Sequence, residues 1–401
     1  MLLVLAAVVA TAMGALAPGE RVGAAVPTPA NDPFYQPPAG YSAAANGTVL
    51  RERAITPLAL GAPMPARGWQ LLYKSVDESG NPTAEVATVL VPLVPWLGSG
   101  PRPLVSYQTA EDSVGSQCAP SYALRSGLPT ITSNAELETS LMLLLLARGW
   151  AVVTSDYEGP GSHFLSGPQA AHGVLDGARA ALHFPADGLS AQTPLGLWGY
   201  SGGGFATAWA TQLQHAYAPD LHPTGIAMGG TPADLLTSMM NVDGGYGFGL
   251  VMGGMVGLSR GYPAKHLRGL FTPLGQAALD SSADDCTVTL VATYAFHALS
   301  EYTFSSTPYQ TSTLRSVLTA NSPHAVRTSA ALYDYHAVED ELVPVAVDDA
   351  FVAHYCSAGD HVQVVRDSPN THNTEMMSGA PGAIDFLAAR FAGQPTPDNC
   401  P

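Results

Sequence analysis

The sequence predicts an α/β protein, with a mostly parallel central sheet covered by helices and interrupted once by a mainly helical insertion. Three observations carry this reading. Short apolar strand patterns alternate with helix patterns from Pro103 to Met228, and again from Ala330 to Phe391. The stretch Leu195-Gly196-Leu197-Trp198-Gly199-Tyr200-Ser201-Gly202-Gly203-Gly204 runs an apolar strand into Gly-x-Ser-x-Gly and then into a helix pattern. Between them, residues 231–319 are rich in Gly, Met and apolar side chains and lose the strand–helix rhythm.

Taken in order, residues 1–25 read as a secretory signal peptide. Met1 to Ala17 is short and apolar, and small residues offer cleavage after Ala17 or near Ala24 and Ala25. Residues 26–60, rich in Pro, Ala and Gly, read as an extended surface arm. Residues 69–76 and 85–92 alternate around a Ser-Gly-Asn-Pro turn and predict an antiparallel hairpin. Strands follow at 103–107, 151–156, 195–200 and 225–228, with helices at 137–148, 173–184 and 203–215. After the insertion come a strand at 330–338, a helix at 346–355, a strand at 361–366 and a helix at 382–391. The predicted layout is therefore a core of residues 26–230 and 320–401 with a helical cap at 231–319.

Composition narrows the function. Of 401 residues, 46% are hydrophobic and 12% charged, which predicts a globular body. Net charge is −16, and Lys74 and Lys265 are the only lysines. Without a basic stripe, nucleic-acid binding is excluded and anionic membrane surfaces would repel the chain. The four cysteines, Cys118, Cys286, Cys356 and Cys400, show no C-x-x-C spacing, so zinc is not expected. An even set in an exported chain predicts two disulfides. Of three pairings, Cys356–Cys400, which pins the C-terminus, with Cys118–Cys286 is preferred.

Ser201 is the candidate nucleophile. A serine on a sharp strand-to-helix turn stands exposed above the sheet, and Gly199 and Gly203 leave room for so tight an elbow. Its hydroxyl needs a base, and in such folds the acid and base follow the serine on later strand ends. Asp340, in Glu339-Asp340-Glu341 after the 330–338 strand, is the candidate acid. Asp334 lies within that strand, and Asp348 and Asp349 begin the next helix. His372, in the loop after the last strand, is the candidate base. His354 lies inside a helix, His361 at the wrong end of its strand, and His336 ahead of Asp340. Gly202, directly after the serine, supplies one oxyanion N–H; the second comes from the loop 107–113, where the residues alone do not single out a donor.

These blocks, with Tyr107, Glu111-Asp112-Ser113, Cys118-Ala119-Pro120-Ser121-Tyr122, Ser155-Asp156-Tyr157-Glu158-Gly159, Leu175-Asp176-Gly177-Ala178-Arg179-Ala180 and His336-Ala337-Val338-Glu339-Asp340-Glu341-Leu342-Val343-Pro344, resemble the secreted lipase family typified by that of the yeast Candida antarctica. The resemblance runs from about Asp32 to Cys400. It implies an α/β-hydrolase fold, Ser201, Asp340 and His372 as nucleophile, acid and base, and main-chain donors from Asp112 and Gly202. It also supports the helical cap and the preferred cysteine pairs. The yeast enzyme continues past its last cysteine into a flap over the site, whereas this sequence stops at Pro401, so such a flap is not expected.

The resulting expectation is a secreted serine hydrolase cleaving carboxylic esters of lipids, a triacylglycerol lipase or carboxylesterase, without metal or cofactor. Its partners would be a lipid or small ester and, transiently, a lipid–water interface. Met239, Met240, Phe248, Leu250, Val251, Met252, Met255, Val256 and Leu258 are candidates to line an acyl tunnel. Two rival readings are a short-chain or acetyl esterase acting on a decorated small molecule and a silent binding protein on the same fold.

Overall fold

The computed structural model describes residues 26–127, 133–185 and 188–400. The signal peptide expected at 1–25 lies outside the described residues. The sheet has nine strands: β1 (Val49–Ile55), β2 (Ala66–Val76), β3 (Pro82–Pro92), β4 (Leu104–Gln108), β5 (Ala151–Ser155), β6 (Leu195–Tyr200), β7 (Pro223–Gly229), β8 (Ala331–Ala337) and β9 (Val362–Asp367). Their spatial order is β1-β2-β3-β5-β4-β6-β7-β8-β9. The first four in that order pair antiparallel, and every pair from β5 to β9 is parallel.

The core helices are α1 (Pro120–Ser126), α2 (Asn134–Leu137), α3 (Thr139–Ala147), α4 (Gly167–His183) and α5 (Gly202–Tyr217). Between β7 and β8 come α6 (Leu235–Val242), α7 (Phe248–Gly261), α8 (Pro273–Ser281), α9 (Thr287–Tyr294) and α10 (Ser312–Asn321). The chain closes with α11 (Val345–Ala358), α12 (His372–Ser378) and α13 (Ala380–Phe391).

Strand period two sorts the core onto two faces. In β6, Leu195 and Leu197 join the apolar cluster under α4, α5 and α11, while Trp198 and Tyr200 join the cluster under α3 and α13. Both faces are covered, so β4, β5 and β6 are buried along their whole length, with polar residues such as Ser106, Gln108 and Thr154 among the apolar ones. A third cluster holds Phe248, Met252, Met255, Leu258, Leu290 and Leu314 together with Phe164, Phe205 and Trp209, so the segment between β7 and β8 packs continuously against α5 and the loop before α4. No strand of the sheet lies in that segment among the described residues.

Several elements differ from the sequence expectation. Residues 49–55, read as part of an arm, form the edge strand β1. Arg51, Glu52 and Arg53 hide the apolar alternation, as charges on edge strands do. Arg53 lies 4.0 Å over the Phe34 ring and pairs with Asp32 at 2.7 Å, tying the N-terminal turns to that strand. The single helix expected at 137–148 is divided at Glu138, whose carboxylate turns inward to the Ala110 N–H at 2.8 Å and the Tyr107 hydroxyl. Helix α4 starts at Gly167, six residues before the expected start. Pro168 sits in its first turn, where a missing N–H costs nothing.

Candidate active site

The elbow is built by close backbone approach. Ser201 adopts φ 57° and ψ −122°, a strained conformation for a non-glycine residue. Its N–H donates to the Gly229 carbonyl at 2.8 Å, and its own carbonyl accepts from Phe205 N–H at 2.8 Å, so strand β7 and helix α5 together hold the turn. A Cβ at Gly199 would lie 2.2 Å from the Gly203 carbonyl oxygen, and one at Gly203 would lie 2.0 Å from that of Gln108. Side chains at either position would push helix and strand apart.

The structure brings Ser201, His372 and Asp340 into one hydrogen-bonded chain. His372 Nε2 lies 2.7 Å from Ser201 Oγ, and His372 Nδ1 lies 2.6 Å from Asp340 Oδ2. Asp340 Oδ1 accepts from the Leu342 and Val343 amides at 2.9 and 2.7 Å, which fixes the carboxylate. Burial works against its charge. Hydrogen bonds from His336 and His372 overcome that and hold its pKa well below the usual carboxylate range. His372 is not in an open loop: it is the first residue of α12, capped by the Thr371 hydroxyl, and its N–H donates to Glu341 Oε2 at 3.1 Å. A helix this short escapes periodicity in the sequence.

The rejected candidates sit elsewhere. Asp334 pairs with Arg366 at 2.7 Å inside the sheet edge. Asp349 pairs with Arg366 from the start of α11. His354 is exposed on α11, and His361 meets Asp398 at the surface. His336 and Asp348 are different: they contact each other at 2.9 Å, and His336 reaches Asp340 at 3.1 Å.

Asp112 lies beside the elbow at φ 44°. It is so close to Gly202 that a Cβ there would meet Asp112 Oδ1 at 1.9 Å. Burial pushes its carboxyl up to about 6, against the pull of His372 and the Asn134 amide. Gly202 opens α5, so its N–H has no intrahelical acceptor. Three residues that sequence reasoning passes over brace this loop. Tyr157 hydroxyl donates to Thr109 carbonyl at 2.8 Å and accepts from Glu111 N–H at 3.2 Å. Glu138 accepts from Ala110 N–H. Thr287, at the start of α9, donates to the carbonyls of Glu111 and Asp112. Only Tyr157 stands inside a block quoted above, and its spacing carries no hint of that contact.

The disulfides are Cys118–Cys286, which joins the loop after β4 to the foot of α9, and Cys356–Cys400, which ties the C-terminal tail to α11. Among the described residues, no group of three or more His, Cys, Asp or Glu side chains is arranged to hold a metal ion.

Two cavities meet at Ser201. The narrower, about 70 Å³, is lined by Phe164, Leu165, Leu235, Met239, Val242 and Val251. The wider, about 420 Å³, is bordered by Tyr200, Tyr246, Val288, Val291, Asn373 and Met376. Leu250 and Leu342 line both, as do Asp112, Ser201 and His372. Of the nine apolar residues expected at a tunnel, Met239, Leu250 and Val251 line a cavity here. Phe248, Met252, Met255, Val256 and Leu258 are buried in the third apolar cluster, and Met240 is exposed. Helix α7 presents these residues on all sides, so periodicity alone does not separate lining from packing.

The pattern of a family described as secretory lipase matches residues 124–399. A protein of Mycobacterium tuberculosis named probable inactive lipase MT1628 is 37% identical over 92% of this chain and 84% of its own length. The secreted triacylglycerol lipase LIP2 of Malassezia furfur is 33% identical over 95% of this chain and 83% of its own. The crystal structure of Candida antarctica lipase A superposes with a TM-score of 0.84 at 28% identity, covering 94% of this chain and 89% of that one.

Proposed function

This chain belongs to the secretory lipase family and has the α/β-hydrolase fold, and from that premise we propose that it is an exported serine hydrolase of lipid carboxylic esters, triacylglycerols among them. The observation that carries the reading is the continuous contact from Asp340 through His372 to Ser201 at the elbow. In the first step His372 Nε2 takes the Ser201 proton as Oγ attacks the ester carbonyl. The oxyanion that forms is received by the N–H groups of Asp112 and Gly202, whose fixed positions require no reorganisation. Collapse breaks the ester bond, and His372 returns its proton to the departing alcohol. Water then attacks the acyl-enzyme with His372 again as base, releasing the carboxylic acid and restoring Ser201. Asp340 holds the imidazole tautomer and stabilises its cation throughout.

In the same reading, residues 231–319 form a cap inserted into a core of 26–230 and 320–401, and the narrow apolar cavity takes the acyl chain. The small size of that cavity also favours the second reading, an esterase of short acyl groups. The intact contact chain weighs against a silent binding protein on this fold, although the mycobacterial relative is named a probable inactive lipase.

A fluorophosphonate probe tests the class. It should label the wild-type chain and not Ser201→Ala, which should fold normally and lose several powers of ten in turnover. A variant keeping a tenth of wild-type turnover would refute Ser201 as nucleophile. Rates on p-nitrophenyl esters from acetate to palmitate, and on triolein, then separate lipase from short-chain esterase.

A further inference from the structure

His336, at the end of β8, is fully buried directly behind Asp340. Its Nδ1 lies 2.9 Å from Asp348 Oδ2. Its Nε2 lies 2.9 Å from the Val343 carbonyl oxygen and 3.1 Å from Asp340 Oδ2. A carbonyl and an ionised carboxylate only accept, so each ring nitrogen faces acceptors and each must carry a hydrogen. That form of the ring is the imidazolium.

The neighbours favour the same protonation. Arg366 Nη2 stands 3.5 Å from Asp348 Oδ2, a second cation facing that carboxylate, while its other nitrogens meet Asp334 and Asp349. Burial opposes a charge on His336, but hydrogen bonds to Asp340 and Asp348 outweigh it and push the ring up to about 10. Asp340 Oδ2 therefore receives two imidazoles at once, His336 at 3.1 Å and His372 at 2.6 Å. On its far side His372 faces Asp112, and its N–H is taken by Glu341.

We propose that His336 is a positioning residue, a standing cation that fixes Asp340 and draws part of its charge away from His372. The inference rests on the catalytic reading of Ser201, Asp340 and His372. Without the second cation, the whole Asp340 charge would act on His372, and the acid limb of activity would move to higher pH. A residue that served packing alone would lower activity equally at every pH.

The test has two arms. In the full chain labelled with ¹⁵N, the ring of His336, assigned by its loss in His336→Gln, should show both nitrogens protonated at pH 8. A ring with one bare nitrogen overturns the proposal. In the second arm, kcat/KM for p-nitrophenyl butyrate is followed from pH 4 to 9 in the wild type, His336→Gln and Asp348→Asn. The acid limb should move up by about one unit in both variants, with KM little changed. Should His336→Gln fail to fold, Asp348→Asn carries the measurement and its own ring spectrum supplies the assignment. A lowered plateau with an unmoved limb overturns the proposal. A wild-type chain that the fluorophosphonate fails to label overturns the catalytic reading, and this role with it; a labelled chain with an unmoved limb overturns this role alone.

Discussion

Thr287 holds Asp112 across the boundary between the β7–β8 segment and the sheet. Its hydroxyl lies 3.0 Å from the Asp112 carbonyl oxygen and 3.1 Å from that of Glu111. Its N–H donates to Ser113 Oγ at 3.1 Å, and one residue earlier Cys286 is bonded to Cys118. A backbone at positive φ is kept in place by such contacts, since a non-glycine residue does not favour it. Thr287→Val should therefore lower kcat about tenfold with KM little changed, the worth of roughly one well-placed hydrogen bond. Thr287→Ser should keep most of the rate. Equal rates for the two variants on p-nitrophenyl butyrate would show that the hydroxyl does not position the loop.

At Asp112 the main chain and the side chain separate cleanly. Asn tolerates the left-handed region and β-branched residues do not. Asp112→Asn should stay within about threefold of wild type, whereas Asp112→Val should lose on the order of 100-fold, as when an oxyanion donor is displaced. If Asp112→Asn proved as poor as Asp112→Val, the carboxylate and not the backbone would be what matters at this position.

Stability should fall as pH rises from about 4 to about 8. Burial pushes Asp112 up to about 6 and Glu138 up to about 8. Each folded-state pKa lies above its unfolded value of about 4. The folded chain then keeps protons that the unfolded chain has released. The stability they contribute is whole below about 4 and lost as pH rises through 6 for Asp112 and 8 for Glu138. Asp340 has the opposite sign: its contribution is present above its unfolded value and is lost only as pH falls toward its depressed one. Thermal melting should accordingly be higher at pH 5 than at pH 9, and Glu138→Gln should flatten the decline. A melting temperature that climbs from pH 5 to 9 contradicts this.

Acyl length should be chosen by the narrow cavity. A buried methylene is worth about 0.8 kcal/mol, or roughly fourfold in rate. Val251→Phe fills space lined by Leu235, Met239 and Val242. It should depress palmitate and butyrate esters far more than acetate. The glycines of α7 are unsuitable for this purpose: a Cβ at Gly257 would lie 2.4 Å from Phe164 backbone atoms, and one at Gly249 would lie 2.3 Å from Leu290. Uniform loss across the ester series in folded Val251→Phe would place acyl selection elsewhere.

What the sequence discloses is what leaves a local trace. Gly199 and Gly203 must lack side chains around Ser201, and that need is written in four consecutive spacings. Asp340 and His372 stand where strand ends fall, so chain order points to them. Tyr157, Thr287 and His336 act through partners brought near by folding, 46, 175 and 4 residues away in sequence. Even the shortest of those separations is silent, because it spans the end of β8 and a turn. The edge strand β1 is obscured by its charges, and α12 by its seven residues.

The bond between Cys118 and Cys286 spans 168 positions. During synthesis the first partner is made long before the second, so the loop that carries Asp112 waits for more than a third of the chain to emerge. Closure also needs an oxidant. A chain made in a reducing compartment would hold every residue of the site and yet lack the staple, leaving the loop to its hydrogen bonds with Tyr157, Glu138 and Thr287. Oxidation and the placing of Asp112 are thereby joined: the bond that needs an oxidant fastens the loop that stands against Gly202.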